Sequence, residues 1–279
     1  MIKLGSHISF KKPGYLVGAV GESLSNGANT LMIYLGAPQT TLRVNVEHYQ
    51  LKRYEELFQN YIPKEDIIVH APYIVNPANP EKADFSCDFL IQEIERMNYI
   101  GAKYLVLHPG AYTTYSPQEA LDTLVDSLKY IISKTKDVII CIETMSGKGS
   151  EIGINFEQIK YVLSWVNSPR LAVCLDTCHM WDSGYDLKNY QLFKNKLKEL
   201  DLLKDVKVIH LNDSKNELNS HKDRHANINQ GFIGYETLKK FVYDPDFDNI
   251  PIILETPWTE NGPIYKQEIA WLLDKKSIE

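Results

Sequence analysis

In the stretch HLNDSKNELNSHKDRHANINQG, residues 210–231, His210 closes an apolar run, and Asp223 and His225 follow in a polar loop. Asp223 and His225 are two apart, which puts both side chains on one side of an extended segment. In LDTCH, Asp176 and His179 are three apart across a strand-to-loop turn, a separation that lets both face the same mouth. Imidazole nitrogens and carboxylate oxygens in such pairs are zinc ligands; calcium and magnesium prefer all-oxygen shells. The chemistry to expect is therefore metal-assisted, and the rest of the chain must hold these side chains together.

Eight short β-branched runs bounded by polar residues, Gly or Pro can do so: IKLGSH, TLMIYLG, IIVHAPY, KYLVLHPG, VIICIET, LAVCLDT, VKVIHLND and IPIILET. They start at residues 2, 30, 67, 103, 138, 171, 206 and 250, 28 to 44 residues apart, the room one strand, one helix and two loops require. Helical periodicity lies between them, as in CDFLIQEIERMNYI (Phe89, Ile91, Ile94 and Met97) and in EALDTLVDSLKYII after Ser116-Pro117. Eight βα units predict one (β/α)8 TIM barrel over residues 1–279, with no linker, low-complexity tract or repeat dividing it. The Lys-rich stretch KNKLKELDLLKDVK reads as a solvated helix face.

Barrel chemistry sits at the C-terminal ends of the strands, and seven of the eight runs end in His, Asp or Glu: His7, His70, His108, Glu143, Asp176, His210 and Glu255. Any one alone reads as a satisfied polar group at the edge of the core. Seven around one axis would bring carboxylates into mutual repulsion, which cations relieve. Setting His7 aside, the loops raise the set to nine: His70, His108, Glu143, Asp176, His179, His210, Asp223, His225 and Glu255. Nine ligands are too many for one zinc and reasonable for three if a carboxylate bridges. His7 is either structural or behind the ligands, orienting one of them or meeting substrate; His48 and His221 read as surface residues.

Composition sets limits on this reading. A net charge of -6 over 279 residues gives no global footprint for nucleic acid. Cys87, Cys141, Cys174 and Cys178 have no CxxC spacing and read as reduced, mostly buried thiols. The start, MIKLGSHISFKKPG, lacks a signal-peptide core, and no run suits a membrane span, so a soluble cytoplasmic protein is the expectation.

The motifs GSHIS (5–9), HAPYIVN (70–76), HPG (108–110), ETxxGxG (143–149), CLDTCH (174–179), HLNDSKN (210–216), DRHxNI (223–228) and LETP (254–257) resemble endonuclease IV, the zinc-dependent apurinic/apyrimidinic endonuclease family, over nearly the whole chain. The resemblance implies His70 and His108 on one zinc, and Glu143 bridging to a second that Asp176, His210 and Glu255 also hold. His179, Asp223 and His225 would then hold a third. It further implies that Tyr73 and Ile74 wedge into the duplex, although Tyr73 on spacing alone reads equally as a core aromatic. Two departures stand out: Asn229 occupies a usual Gly position, and Arg43 is the nearest counterpart of an early-loop Arg that enters DNA.

The implied reaction is hydrolysis of the phosphodiester 5′ to an abasic site in duplex DNA, leaving a 3′-hydroxyl and a 5′-deoxyribose phosphate, with blocked 3′ ends as further substrates. Glu143 and Glu255 are the catalytic carboxylates, Glu255 orienting the nucleophile, and a monomer is expected. Three Zn²⁺ (+6) against four site carboxylates (−4) leave +2 at the site, so an acidic protein can own a locally basic one. Lys148, Lys215, Lys222 and Arg224 in the mouth loops read either as phosphate contacts or as solvated residues. A sugar isomerase using only the tetrad Glu143, Asp176, His210 and Glu255 around one metal is the rival; a non-catalytic DNA- or metal-binding protein is another.

Overall fold

The computed structural model of the chain describes residues 1–274; the last five positions of the expected domain, 275–279, lie outside the described residues. Each of the eight runs forms a parallel strand: β1 (Lys3–His7), β2 (Thr30–Ile33), β3 (Ile67–His70), β4 (Tyr104–Leu107), β5 (Ile139–Glu143), β6 (Leu171–Asp176), β7 (Val206–His210) and, after a small hairpin, β10 (Pro251–Leu254). They close into a barrel in the order β1-β10-β7-β6-β5-β4-β3-β2. The hairpin, β8 (Asp213–Ser214) against β9 (His225–Ala226), is antiparallel and lies in the loop after β7.

A period of two explains why the strand ends converge. Met32, Ile68, Val106, Cys141, Ala172, Cys174, Val208 and Ile253 form one apolar layer, separate from the larger core between strands and helices. Two residues on from seven of them, on the same face of the pleat, stand Tyr34, His70, His108, Glu143, Asp176, His210 and Glu255. The apolar layer fills the barrel's interior and supports the polar layer at its mouth. Gly5 in β1 is required by close approach: a Cβ there would lie 1.9 Å from the carbonyl oxygen of Thr30.

Helices α1 (Tyr15–Ser25), α2 (Leu51–Leu57), α3 (Ala83–Ile100), α4 (Pro117–Lys134), α5 (Phe156–Val166), α6 (Thr177–Asp182), α7 (Tyr190–Glu199), α8 (Tyr235–Tyr243) and α9 (Tyr265–Leu272) follow the strands. The expected start of α4 is a capping box, Ser116 accepting from the Glu119 N–H while Glu119 accepts from that of Ser116, with Pro117 in the first turn. In α3, Phe89, Ile94 and Met97 are buried and Ile91 is partly so. One core cluster runs from Leu4 to Leu272, and each fully buried Leu or Ile contributes about 1.5–3 kcal/mol.

Two sequence expectations need correction. Lys194, in the stretch read as solvated, is buried, with its ammonium 2.6 Å from Asp244 and 2.7 Å from Asp246, while Lys196 and Lys198 on the same helix are exposed. Arg43 is not free to enter DNA. Its side chain is 2% exposed, its Nε donates to both oxygens of the buried Glu93 at 2.9 and 3.1 Å, and its guanidinium lies 4.9 Å from the Phe89 ring centroid. All four cysteines are free and buried, as expected.

Candidate metal centre

The nine ligand candidates come together in three overlapping groups. In the first, Glu143 Oε2 lies 3.3 Å from His70 Nε2 and 3.2 Å from His108 Nε2. In the second, His210 Nδ1 lies 3.0 Å from Glu143 Oε1, 3.0 Å from Glu255 Oε2 and 3.9 Å from Asp176 Oδ2. In the third, Asp223 Oδ1 lies 3.0 Å from His179 Nε2 and 3.6 Å from His225 Nε2, and Asp176 Oδ2 is 3.8 Å from His225 Nε2. Glu143 thus joins the first two groups, and Asp176 reaches from the second into the third.

Three of the five imidazoles are held by a backbone carbonyl with the other nitrogen aimed inward. His70 Nδ1 meets the carbonyl of Ala71 at 2.7 Å, His179 Nδ1 that of Thr144 at 2.9 Å, and His225 Nδ1 that of Glu255 at 3.1 Å. A backbone acceptor on one nitrogen fixes the tautomer and leaves the other as a lone-pair donor. Glu143 Oε2 and His225 Nε2, both facing the cluster, are buried without a hydrogen-bond partner. An orphaned carboxylate oxygen and an orphaned imidazole nitrogen at one centre are what cations satisfy, and the His and carboxylate donor set suits zinc.

The electrostatics agree with mutual attraction. Burial opposes charge on Glu143, yet His210 and His108 hold its carboxyl well below the ordinary range. Burial likewise opposes the imidazolium of His179, but Asp176, Asp223 and Glu143 raise its pKa well above the usual value. Asp223 is brought down to about 2 against its burial, chiefly by His179. Asp176, wholly enclosed, is raised by burial.

Around this floor stand the other predicted residues. His7 is half-buried, its ring 5.0 Å from that of Tyr34, and burial lowers its pKa. Tyr34 was not anticipated: on the one strand without a terminal His or acid it takes that place, nearly buried, 5.0 Å from the His70 ring and 5.6 Å from that of Tyr73. Tyr73 is 56% exposed at the rim, whereas Ile74 is half-buried and packs on the core. Lys148, Lys215, Lys222 and Arg224 are exposed on the mouth loops. Lys148 sits on a turn whose N–H groups at 147 and 148 both donate to Glu151 Oε2. His221 is exposed as expected, but its Nδ1 meets the carbonyl of Ser146 at 2.9 Å and ties the two loops together. Asn229 adopts φ +68°, a left-handed conformation that Asn tolerates in place of Gly.

A closed parallel barrel with clustered histidines and carboxylates at its C-terminal mouth defines a metal-dependent enzyme of the xylose-isomerase-like class, and the family model described as "Xylose isomerase-like TIM barrel" matches residues 21–275. Within that class the chain belongs to the endonuclease 4 family of DNA-repair hydrolases. It is 72% identical over 276 residues to the "Probable endonuclease 4" of Mycoplasmopsis synoviae, covering 99% of this chain and 100% of the relative. It superposes on the crystal structure of endonuclease IV from Thermus thermophilus with a TM-score of 0.84 at 27% identity, over 98% and 100% of the two chains. A D-tagatose 3-epimerase-like protein, at TM-score 0.71 and 19% identity over 98% and 96%, shares the fold. No helix among the described residues is long and apolar enough to cross a membrane.

Proposed function

We propose that the chain hydrolyses the phosphodiester 5′ to abasic sites in duplex DNA, leaving a 3′-hydroxyl and a 5′-deoxyribose phosphate, and also clears blocked 3′ ends. It would act as a monomeric, single-domain cytoplasmic enzyme with three zinc ions. His70, His108 and Glu143 would hold one ion, Glu143, Asp176, His210 and Glu255 a second, and His179, Asp223 and His225 the third. The observation that carries this reading is the third group. A mononuclear sugar isomerase has use for the Glu143, Asp176, His210 and Glu255 tetrad, but none for Asp223 held 3.0 Å from His179 beside His225.

Bound zinc supplies Lewis acidity, bringing the pKa of water toward about 7 and offsetting charge on phosphoryl oxygens. The chain's own residues do the rest. Glu255 orients the attacking water, and the backbone carbonyls behind His70, His179 and His225 keep each imidazole in the ligating tautomer. Tyr73 at the rim enters the duplex, anchored by Ile74, and an abasic sugar costs little to extrude, which gives selectivity. Lys148, Lys215 and Arg224 meet phosphates from the mouth loops; Lys215 and Lys222 also line a groove of about 510 Å³ with Leu218 and Phe232.

Single-turnover incision of a duplex carrying one tetrahydrofuran abasic analogue tests the proposal, with an undamaged duplex and a His225→Ala variant alongside. Cleavage only at the lesion, leaving a 3′-hydroxyl and failing in the variant, is expected. No cleavage by zinc-loaded enzyme refutes it.

A further inference from the structure

Asp182, the last residue of α6, is wholly buried and belongs to none of the three ligand groups. Its Oδ1 accepts the Ser214 hydroxyl at 2.7 Å, and its Oδ2 accepts the backbone N–H of Asp223 at 2.8 Å. Its backbone carbonyl accepts the N–H of His221 at 3.0 Å. Next to it, the Trp181 carbonyl accepts the Asn219 N–H at 3.1 Å, and the Trp181 indole N–H donates to the Asn216 carbonyl at 3.0 Å. The segment from 216 to 223 is therefore pinned to the end of α6 at four points.

That segment needs holding. Asn219, His221 and Asp223 have φ of +65°, +55° and +53°, a left-handed conformation that Asn, Asp and His tolerate better than other residues with a side chain but that still favours fixed partners. Two of these three N–H groups, those of His221 and Asp223, end on Asp182. The same short helix carries a partner of the Asp223 side chain: Asp176 caps α6 by accepting the His179 N–H at 2.7 Å, and His179 Nε2 meets Asp223 Oδ1 at 3.0 Å. The helix thus holds, three residues apart, His179, which meets the Asp223 side chain, and Asp182, which grips its backbone N–H.

We infer that Asp182 is the positioning residue of the third metal group: it sets Asp223 at its place beside His179 before any metal arrives. The inference rests on the three-zinc reading above. Loss of the grip weakens the third zinc by about 10–100-fold, the usual effect of removing a group that orients a ligand, and leaves the other two in place.

Asp182→Ala is the informative variant. Alanine accepts from neither Ser214 nor Asp223, whereas an asparagine amide would turn its oxygen to the Asp223 N–H and its NH2 to the Ser214 hydroxyl and keep the grip. Ser214→Ala is its control, removing the other bond to Asp182 while sparing Asp223. Zinc binding to chelator-stripped protein, followed by competition with a chromophoric chelator and by the visible spectrum of the cobalt-substituted protein, reads the sites independently of incision. Asp182→Ala is expected to bind two ions as the parent does and the third about 10–100-fold more weakly, with incision restored by excess zinc; Ser214→Ala is expected to bind all three. Unchanged third-site affinity in Asp182→Ala, or equal weakening in both variants, overturns the inference. Amide hydrogen exchange on the metal-free parent needs no variant: protection of the Asp223 N–H is expected, and rapid exchange overturns the pre-set loop. A parent that never takes up a third ion defeats the three-zinc reading itself, an outcome separable from the others because it appears before any substitution is made.

Discussion

Arg43→Ala tests the internal anchor that the structure shows for this residue against the DNA contact that the family resemblance implies. The guanidinium shares its Nε–H between the two oxygens of Glu93, whose side chain is 1% exposed, and donates through Nη1 to the carbonyls of Thr40 and Leu42 at 3.0 and 2.9 Å. The two carbonyl contacts are on an exposed stretch, and water replaces them at little cost. Glu93 has no such substitute. Removing one member of a buried ion pair costs about 3–5 kcal/mol because the other charge is left enclosed. Arg96 is the remaining cation, with Nε 3.6 Å away on a partly exposed side chain, which puts the loss at the lower end, about 3 kcal/mol. For a chain of this size that is a fall of roughly 6–12 °C in Tm, at about 2–4 °C per kcal/mol.

The pH dependence has a definite sign. Burial raises the carboxyl pKa of Glu93 even with Arg43 present, and without Arg43 it rises further. A carboxyl raised in the folded state binds its proton more tightly there than in the unfolded chain, so stability falls as pH rises from the ordinary value through the folded one. The deficit of Arg43→Ala is therefore smallest near about pH 4–5 and largest at neutral pH. Arg43→Met with Glu93→Gln, which removes both charges, should regain most of the loss. Urea unfolding at pH 5 and pH 7.5 measures both effects. If Arg43→Ala unfolds within about 0.5 kcal/mol of the parent while its affinity for abasic duplex drops at least tenfold, the anchor argument is wrong and Arg43 is a DNA contact.

Three further outcomes are expected. Tyr73→Ala, at an exposed rim position, should change stability by less than about 0.5 kcal/mol yet lower the preference for abasic over intact duplex about tenfold in single-turnover incision; an unchanged preference removes the wedge role. Lys194→Met leaves Asp244 enclosed and should cost about 3 kcal/mol at pH 7 by urea unfolding. Burial opposes it, but Lys194 and Tyr190 hold the Asp244 carboxyl below its ordinary value, so this stabilisation is present above about pH 4 and shrinks as pH falls through the lower folded value; a gap as wide at pH 2.5 contradicts the pairing. Chelation should abolish incision and lower the calorimetric Tm, since each ion at a hundredfold its Kd adds about 2.7 kcal/mol; an unchanged melting curve speaks against metals linked to folding.

What could be read from the sequence and what could not divide along physical lines. The barrel strands are legible because all but β1 pack an apolar residue inside and a polar one two positions on, a pattern carried wholly by neighbours in the chain: Ile68 with His70, Cys141 with Glu143, Val208 with His210. Tyr34 obeys the same period, but an aromatic near the end of an apolar run is indistinguishable from core by pattern alone. Arg43 with Glu93 and Lys194 with Asp244 are each set 50 residues apart, and no local pattern in a Lys-rich helix marks the one ammonium that turns inward. Asp182 was invisible for a related reason, since its partners Ser214 and Asp223 reach it only through the irregular loop after β7.

That loop is where fold and chemistry meet. Strand ends on a closed barrel can supply the first two groups by register alone, because His70, His108, Glu143, Asp176, His210 and Glu255 all lie at or next to the last residue of a strand. The third group has no such guarantee: His179 comes from a helix and Asp223 from a segment in left-handed conformation, with His225 opening strand β9. Side chains on irregular backbone lose more freedom on forming a site, so they need fixed partners. Three buried carboxylates meet this need. Asp182 grips the N–H of Asp223, and Asp213 accepts the N–H groups of Gly231 and Ile233 at 3.1 and 2.9 Å. Glu268 on α9 accepts those of Ile228 and the Asn227 side chain at 2.9 and 3.1 Å. The position of the third group therefore depends on residues outside the nine ligand candidates, and on the proposed three-zinc reading substitutions among them should act on metal occupancy first and on incision only through it.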